Sequence, residues 1–160
     1  MMSPSARLTA LGIALPKPWM LPSGLKVYAQ FVRVVGNRVT ISGHVPLSHE
    51  GTVCGPFGRV GAEVSPEQAQ TSAERVMLAV FSSIVRELGT LDKIGAWVRL
   101  FGMINTAPHF CDYPQIMNGA SRLLCEVYGD DAGRHTRVAV GVAGLPFNVP
   151  VEIEAEAELA

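Results

Sequence analysis

No cluster of lysine and arginine occurs anywhere along the chain, and the formal net charge is only −1 at pH 7 with a sequence pI near 6.4. Binding to a polyphosphate draws its free energy largely from such clusters, so a nucleic-acid partner is not expected. Long apolar runs are missing as well. Nothing approaches the ~20 consecutive residues that cross a bilayer, and the reading is a soluble chain with no membrane partner. Cysteine is scarce: Cys54, Cys111 and Cys125 are odd in number and widely spaced, with no C-x-x-C and no Cys/His pair at zinc-finger spacing. That spacing fits reduced thiols in the cytoplasm, acting as small buried apolar groups. Residues 1–15 lack a basic segment leading into a continuous apolar one, so secretion is not expected either. Charge of both signs is thin, at 17% of residues, below the usual quarter. Such a surface leaves apolar area over for contacts between subunits.

What is present reads as one α+β domain. The 160 residues can bury one real core but hardly two. Residues 1–25 hold prolines 4, 16, 18 and 22 and form an amino-terminal extension with at most one helical turn, near residues 8–11. The domain proper is residues 26–160. Apolar and β-branched residues over 26–35 and 38–43 flank Gly36-Asn37, a hairpin turn pair. Residues 46–61, rich in Gly and Pro, read as a loop or a ragged second hairpin. Ser65-Pro66-Glu67 then supplies a helix cap, a first-turn proline and a first-turn acid. Ala69, Ala73, Val76, Met77, Val80, Ile84 and Leu88 recur at helical steps until Gly89 stops them. A strand over 94–105, a turn over 107–113 and a second helix ending near Gly129 follow.

Two closing strands, 137–143 and 149–159, are joined by the turn Gly144-Leu145-Pro146. The last one sets Val151, Ile153, Ala155 and Ala157 against Glu152, Glu154, Glu156 and Glu158, an apolar face backed by a comb of carboxylates. A mixed sheet with both helices on one face is the simplest arrangement of this order. Its other face carries Val138, Val140 and Val142, so part of that face is expected to meet another subunit.

Chemistry concentrates near the carboxyl terminus. Arg137 opens one closing strand and Glu152 lies on the next, and a hairpin between them would carry guanidinium and carboxylate to one edge of the sheet. Spacing alone leaves two readings open, a cross-strand surface ion pair or a site. His44, His109 and His135 share no spacing that forms a metal centre, and Asp112 reads as a helix-start acid. No metal or cofactor is expected. His135, two residues before Arg137, reads as a surface loop histidine or as a group that tunes the pocket. Trp19 and Trp97 read as packing residues.

The pattern R-x-x-V-x-V-x-x-L-P followed by V-E-I-E, here Arg137, Val140, Val142, Leu145, Pro146 and Val151 to Glu154, resembles the closing signature of the RidA (YjgF/YER057c/UK114) family. GNRVTISGHVP around Ser42-Gly43, and Asn118 in the second helix, extend the likeness over residues 26–160. The resemblance implies a chorismate-mutase-like fold, with a mixed six-stranded sheet and two helices packed on one face, assembled as a homotrimer with pockets between subunits. It implies hydrolysis of reactive 2-imino acids or enamines to 2-keto acids and ammonia. Arg137 would hold the substrate carboxylate and Glu152 would direct water to the imine carbon, with Tyr28, Ser42, Gly43 and Asn118 lining the pocket and no cofactor.

A guanidinium suits the first role because its charge is permanent and its donors are fixed in a plane. A carboxylate kept ionised by a neighbouring arginine would suit the second. The chain departs from the archetype in its longer leader, in Gly119-Ala120-Ser121 and in GDDAGRHTR, and so resembles a divergent subgroup with N-G-A-S-x-L and G-R-H-x-R-x-A-V-G-V. A carboxylate-binding trimer without turnover is the alternative. The family's older endoribonuclease label lacks both a basic surface and a histidine acid/base pair here.

Overall fold

The computed structural model describes residues 2–160. The amino-terminal helix α1, Pro4–Ala10, is capped by the Ser3 hydroxyl, which accepts from the Ala6 N–H, and has Pro4 at its first position. It is longer than the single turn the prolines allow on paper, because tertiary contacts hold it: Leu8 is buried and the Ser5 N–H donates to Asp92 Oδ1 at 2.8 Å.

Strands β1, Val32–Val35, and β2, Arg38–His44, form the hairpin around Gly36-Asn37. β1 is shorter than its apolar stretch. The ladder runs from Val35 opposite Arg38 to Val32 opposite Ile41, with one more bond from the Ser42 N–H to the Phe31 carbonyl at 2.9 Å, while β2 is bulged against β5 between Ile41 and His44. The following loop closes on itself through a bridge between Leu47 and Val53, the ragged hairpin of the sequence.

Helix α2, Pro66–Leu88, begins with a reciprocal capping box: Ser65 Oγ accepts from the Gln68 N–H and Gln68 Oε1 accepts from the Ser65 N–H. A side-chain cap of this kind stabilises a helix by about 1 kcal/mol. Gly89 ends it at φ 87°, a conformation that glycine alone adopts without strain. Strand β3, Ile94–Asn105, is the longest. Helix α3, Tyr113–Ala132, is broken at Gly129 (φ 81°, ψ −179°), where the sequence places its end, and one further turn follows. Strands β4, Thr136–Val142, and β5, Val151–Leu159, complete the chain.

The sheet order is β1-β2-β5-β3-β4, with β3 and β4 parallel and the other pairs antiparallel. Two expectations are corrected here. The sheet has five strands, not six, because residues 13–31, interrupted by Pro16, Pro18 and Pro22, make no ladder. Moreover, β4 and β5 are not hairpin partners: the turn between them spans β3, which pairs with both.

Helices α2 and α3 cover one face, burying Val76, Met77, Val80, Phe81, Ile116 and Leu124 against Leu100, Ile104, Val151 and Ile153. They meet closely, because a Cβ at Gly119 would overlap the Gln70 carbonyl oxygen. Trp97 is buried in this core, whereas Trp19 is half-buried and stacks on Phe31 with centroids 4.9 Å apart. The cysteines are not the buried groups the composition implied. Cys111 is exposed and Cys54 and Cys125 are half-buried, all with free thiols. No helix among the described residues is long and apolar enough to cross a membrane.

Candidate active site

Arg137 pairs with Leu100 in the β3/β4 register, and Leu100 is wholly buried beneath the helices, so the arginine side chain rises on the helical face. There it meets α3. Nη2 donates to Asn118 Oδ1 at 2.8 Å and to the Pro114 carbonyl at 3.3 Å, and Nη1 donates to Ser121 Oγ at 2.9 Å. These three acceptors are neutral, and the five ion pairs of the described residues do not include Arg137. Its charge is therefore uncompensated, and partial burial lowers the guanidinium's proton affinity somewhat.

The chain of bonds continues beyond the arginine. His135 Nδ1 faces the Gly133 carbonyl at 2.8 Å, which can only accept, so that nitrogen carries the proton. Nε2 then accepts from the Ser121 hydroxyl at 2.9 Å, which frees a Ser121 lone pair for Arg137. Desolvation lowers the His135 pKa, and the Arg137 charge lowers it further, against the bond to Gly133, which raises it. Ser121 was assigned no role from sequence, and His135 only the alternatives of a loop histidine or a group that tunes the pocket. The signal was present all the same, in the N-G-A-S and R-H-x-R tracts that mark the divergent subgroup, which the fold brings into contact. These residues, with Cys125 and the exposed Arg134, line a shallow cavity of about 270 Å³.

Glu152 lies on the other face. It is paired with Met103, whose parity is opposite to that of Leu100, and it alternates with the buried Val151 and Ile153. Two strand spacings of about 4.8 Å and three residues of about 3.3 Å put the Arg137 and Glu152 Cα atoms roughly 14 Å apart with the sheet between their side chains. Neither the surface ion pair nor a site within one chain is formed. Glu152 is also not held ionised by an arginine. Its pKa is raised, first by burial and then by the Glu154 charge, which makes it a stronger base than an ordinary carboxylate.

The bulge in β2 shapes this second half-site. Gly43 lies against the glutamate so closely that a Cβ there would overlap Glu152 Oε1. Ser42 Oγ donates to the Gln30 carbonyl at 2.7 Å and is thereby occupied. The Ser42 carbonyl accepts from His44 Nδ1–H at 2.7 Å, and His44 Nε2 accepts from Ser83 Oγ at the same distance. Burial drives the His44 pKa down to about 4, so this fully buried ring is a neutral brace. Tyr28 belongs to the segment that walls this half-site but turns outward, 95% exposed. Ser42, Gly43 and Glu152 are thus brought together, as are Arg137 and Asn118, while Tyr28 touches neither group. Among the described residues no group of three His, Cys, Asp or Glu side chains could hold a metal ion.

Residues 5–159 match the family described as "YjgF/chorismate mutase-like, putative endoribonuclease". The chain belongs to this family. Among its relatives, "Protein TCP17" of Trypanosoma cruzi is 36% identical over 155 residues, which cover 97% of this chain and 93% of that one. The structure of protein Atu1372 from Agrobacterium tumefaciens, whose title states unknown function, superposes with a TM-score of 0.84 at 34% identity over 98% of this chain and 91% of the other. A protein from Shewanella oneidensis, titled a "putative endoribonuclease", gives 0.87 at 28% identity over 98% and 99%.

Proposed function

We propose that the chain hydrolyses reactive 2-imino acids to 2-keto acids and ammonia at sites formed between copies, in a homotrimer. The observation that carries this reading is the separation of the half-sites. An arginine with no counter-ion stands on one face, and a basic carboxylate with no ion-pair partner stands on the other. Only a second copy can bring them together, and only an anionic substrate neutralises the first. The open sheet face is apolar on its β3/β4 side, through Phe101, Met103, Val138 and Val140, which suits it to contact between copies.

In the composite site Arg137 binds the carboxylate of the imino acid and Asn118 and Ser121 fix the guanidinium's orientation. Glu152 of the partner subunit takes a proton from water as the oxygen attacks the C=N carbon, giving a carbinolamine. The same carboxyl group passes a proton to nitrogen, the C–N bond breaks with its electron pair leaving on ammonia, and the hydroxyl loses its proton to become the keto oxygen. The endoribonuclease name of the Shewanella protein finds less support here, since the sequence carries a net charge of −1 and no lysine and arginine cluster to hold a polyanion.

The test is keto-acid and ammonia formation from 2-imino acids generated in place by an amino-acid oxidase with catalase present. Acceleration over spontaneous hydrolysis is expected, and its loss in Arg137→Ala. No acceleration with any imine by the folded protein would discard turnover and leave a carboxylate-binding assembly.

A further inference from the structure

We infer that the Glu152 half-site selects substrates with a bulky apolar side chain, an arylalkyl group above all, over short ones. The inference rests on the deaminase reading and names the substrate class of that same site.

A cavity of about 420 Å³ opens beside Glu152. Trp19, Leu25, Val27, Phe31 and Phe147 contribute its walls, and Glu152 is the one ionisable residue among those that line it. The Ser42 hydroxyl at its edge is already spent on the Gln30 carbonyl. Nothing comparable exists on the Arg137 side, where the cavity is smaller and lined by Asn118, Ser121, His135 and two arginines. The two halves therefore divide the substrate between them. The polar half takes the carboxylate, and the apolar half takes whatever the reacting carbon carries.

A methyl or ethyl group would leave most of that space to water against apolar walls. A benzyl-sized group would displace that water, and the free energy gained grows with the apolar area covered. In pockets of this kind each further methylene is worth roughly 10- to 200-fold in kcat/KM.

The wall itself is unusual. Leu25, Val27 and Phe147 remain exposed in the chain, at 45%, 45% and 39%. The segment that carries the first two, running from the leader into the domain, is tied down at Lys17, Met20 and Gln30, with only a local Leu25-to-Pro22 turn between. A second copy packed into the cavity would explain the apolar walls but not the carboxylate. It would seal Glu152 away from water without a partner, which a buried charge does not tolerate cheaply. A substrate side chain covers the apolar walls and leaves the carboxylate open to the solvent water it is placed to activate.

The test compares imines generated from alanine, 2-aminobutyrate, leucine and phenylalanine, with wild type and with a Leu25→Ser/Val27→Ser double variant. Both positions are surface residues, so the fold is expected to survive; light scattering follows assembly alongside. The expected result is a kcat/KM for the phenylalanine-derived imine at least about tenfold above that for the alanine-derived one, falling to within about threefold in the double variant. Equal rates, or a preference for short imines in wild type, would overturn the inference while leaving deamination intact. So would a double variant that dissociates and loses all substrates together, since the patch would then be a subunit contact. Failure with every imine would instead sink the proposed reaction, and calorimetric binding of pyruvate against phenylpyruvate then decides the pocket. Phenylpyruvate at least about tenfold tighter, with the advantage lost in the double variant, sustains the assignment; equal affinities end it.

Discussion

Mixing two inactive variants should restore activity. Arg137 and Glu152 rise from opposite faces of one sheet, so under the proposed function each working site draws its arginine from one copy and its glutamate from another. Arg137→Ala removes the carboxylate anchor and Glu152→Gln removes the base, and loss of a general base alone costs about 10²- to 10⁴-fold. Each variant by itself should therefore retain about 1% of wild-type activity or less. In assemblies re-formed from equal amounts of both, a site works only when its arginine comes from the glutamine variant and its glutamate from the alanine variant. Random assortment gives that pairing at about one quarter of contacts, whatever the number of copies in a closed ring. The mixture should show roughly a quarter of wild-type turnover, some twenty-five times the background. The assay is keto-acid formation after co-expression with two affinity tags, or after dilution from mild denaturant, with unmixed variants carried through the same steps. Activity no greater than the average of the two variants would refute the reasoning from the two faces.

Three further outcomes follow from the geometry. Ser121→Ala cuts the link between Arg137 and His135 without touching the core; a several-fold rise in KM with kcat held is expected, the scale of about 1 kcal/mol for one such bond, and steady-state kinetics reads it. Gly43→Ala drives a methyl group into the Glu152 carboxylate, so kcat should fall at least about tenfold while circular dichroism stays unchanged. His44 titrates near 4 in the folded chain against 6.5 unfolded, so its neutral state contributes stability that is full above pH 6.5 and is lost as pH falls toward 4. Urea midpoints taken from pH 7 to pH 4.5 should reveal a loss of roughly 2–3 kcal/mol that a His44→Asn variant does not share.

Most of the fold was legible because it is written in local chemistry. The capping box at Ser65, the stop at Gly89, the hairpin at Gly36-Asn37 and the alternation of β5 each depend on residues within a few positions of one another. Pairing between distant strands is not local, and there the reading failed: the proline turn after β4 looks like a hairpin, yet β3 lies between the strands it joins. That one misplacement carried the Arg137–Glu152 pair to a common edge. Arg137, Glu152, Ser42, Gly43 and Asn118 nonetheless fall in the two half-sites. Tyr28 does not, because the leader takes a path set by its contacts with Glu50, Gly51 and the α2 face, which no periodicity encodes. His135 looked like a loop residue because its partner, Ser121, lies on another element.

The irregularity in β2 fixes how this chain can vary in length. Between Ile41 and His44 the strand advances three residues while β5 advances only two, from Ala155 to Ile153. The surplus residue lets Ile41 and His44 both turn inward and lays Gly43 along Glu152. Deleting a single residue there would not merely shorten the strand: it would remove the surplus, restore plain alternation with Ile41 and His44 still facing inward, and straighten the backbone that now lies along Glu152. Related sequences that keep Glu152 should therefore keep both the residue count between the hairpin turn and His44 and the glycine at position 43, because losing either takes the close backbone away from the carboxylate.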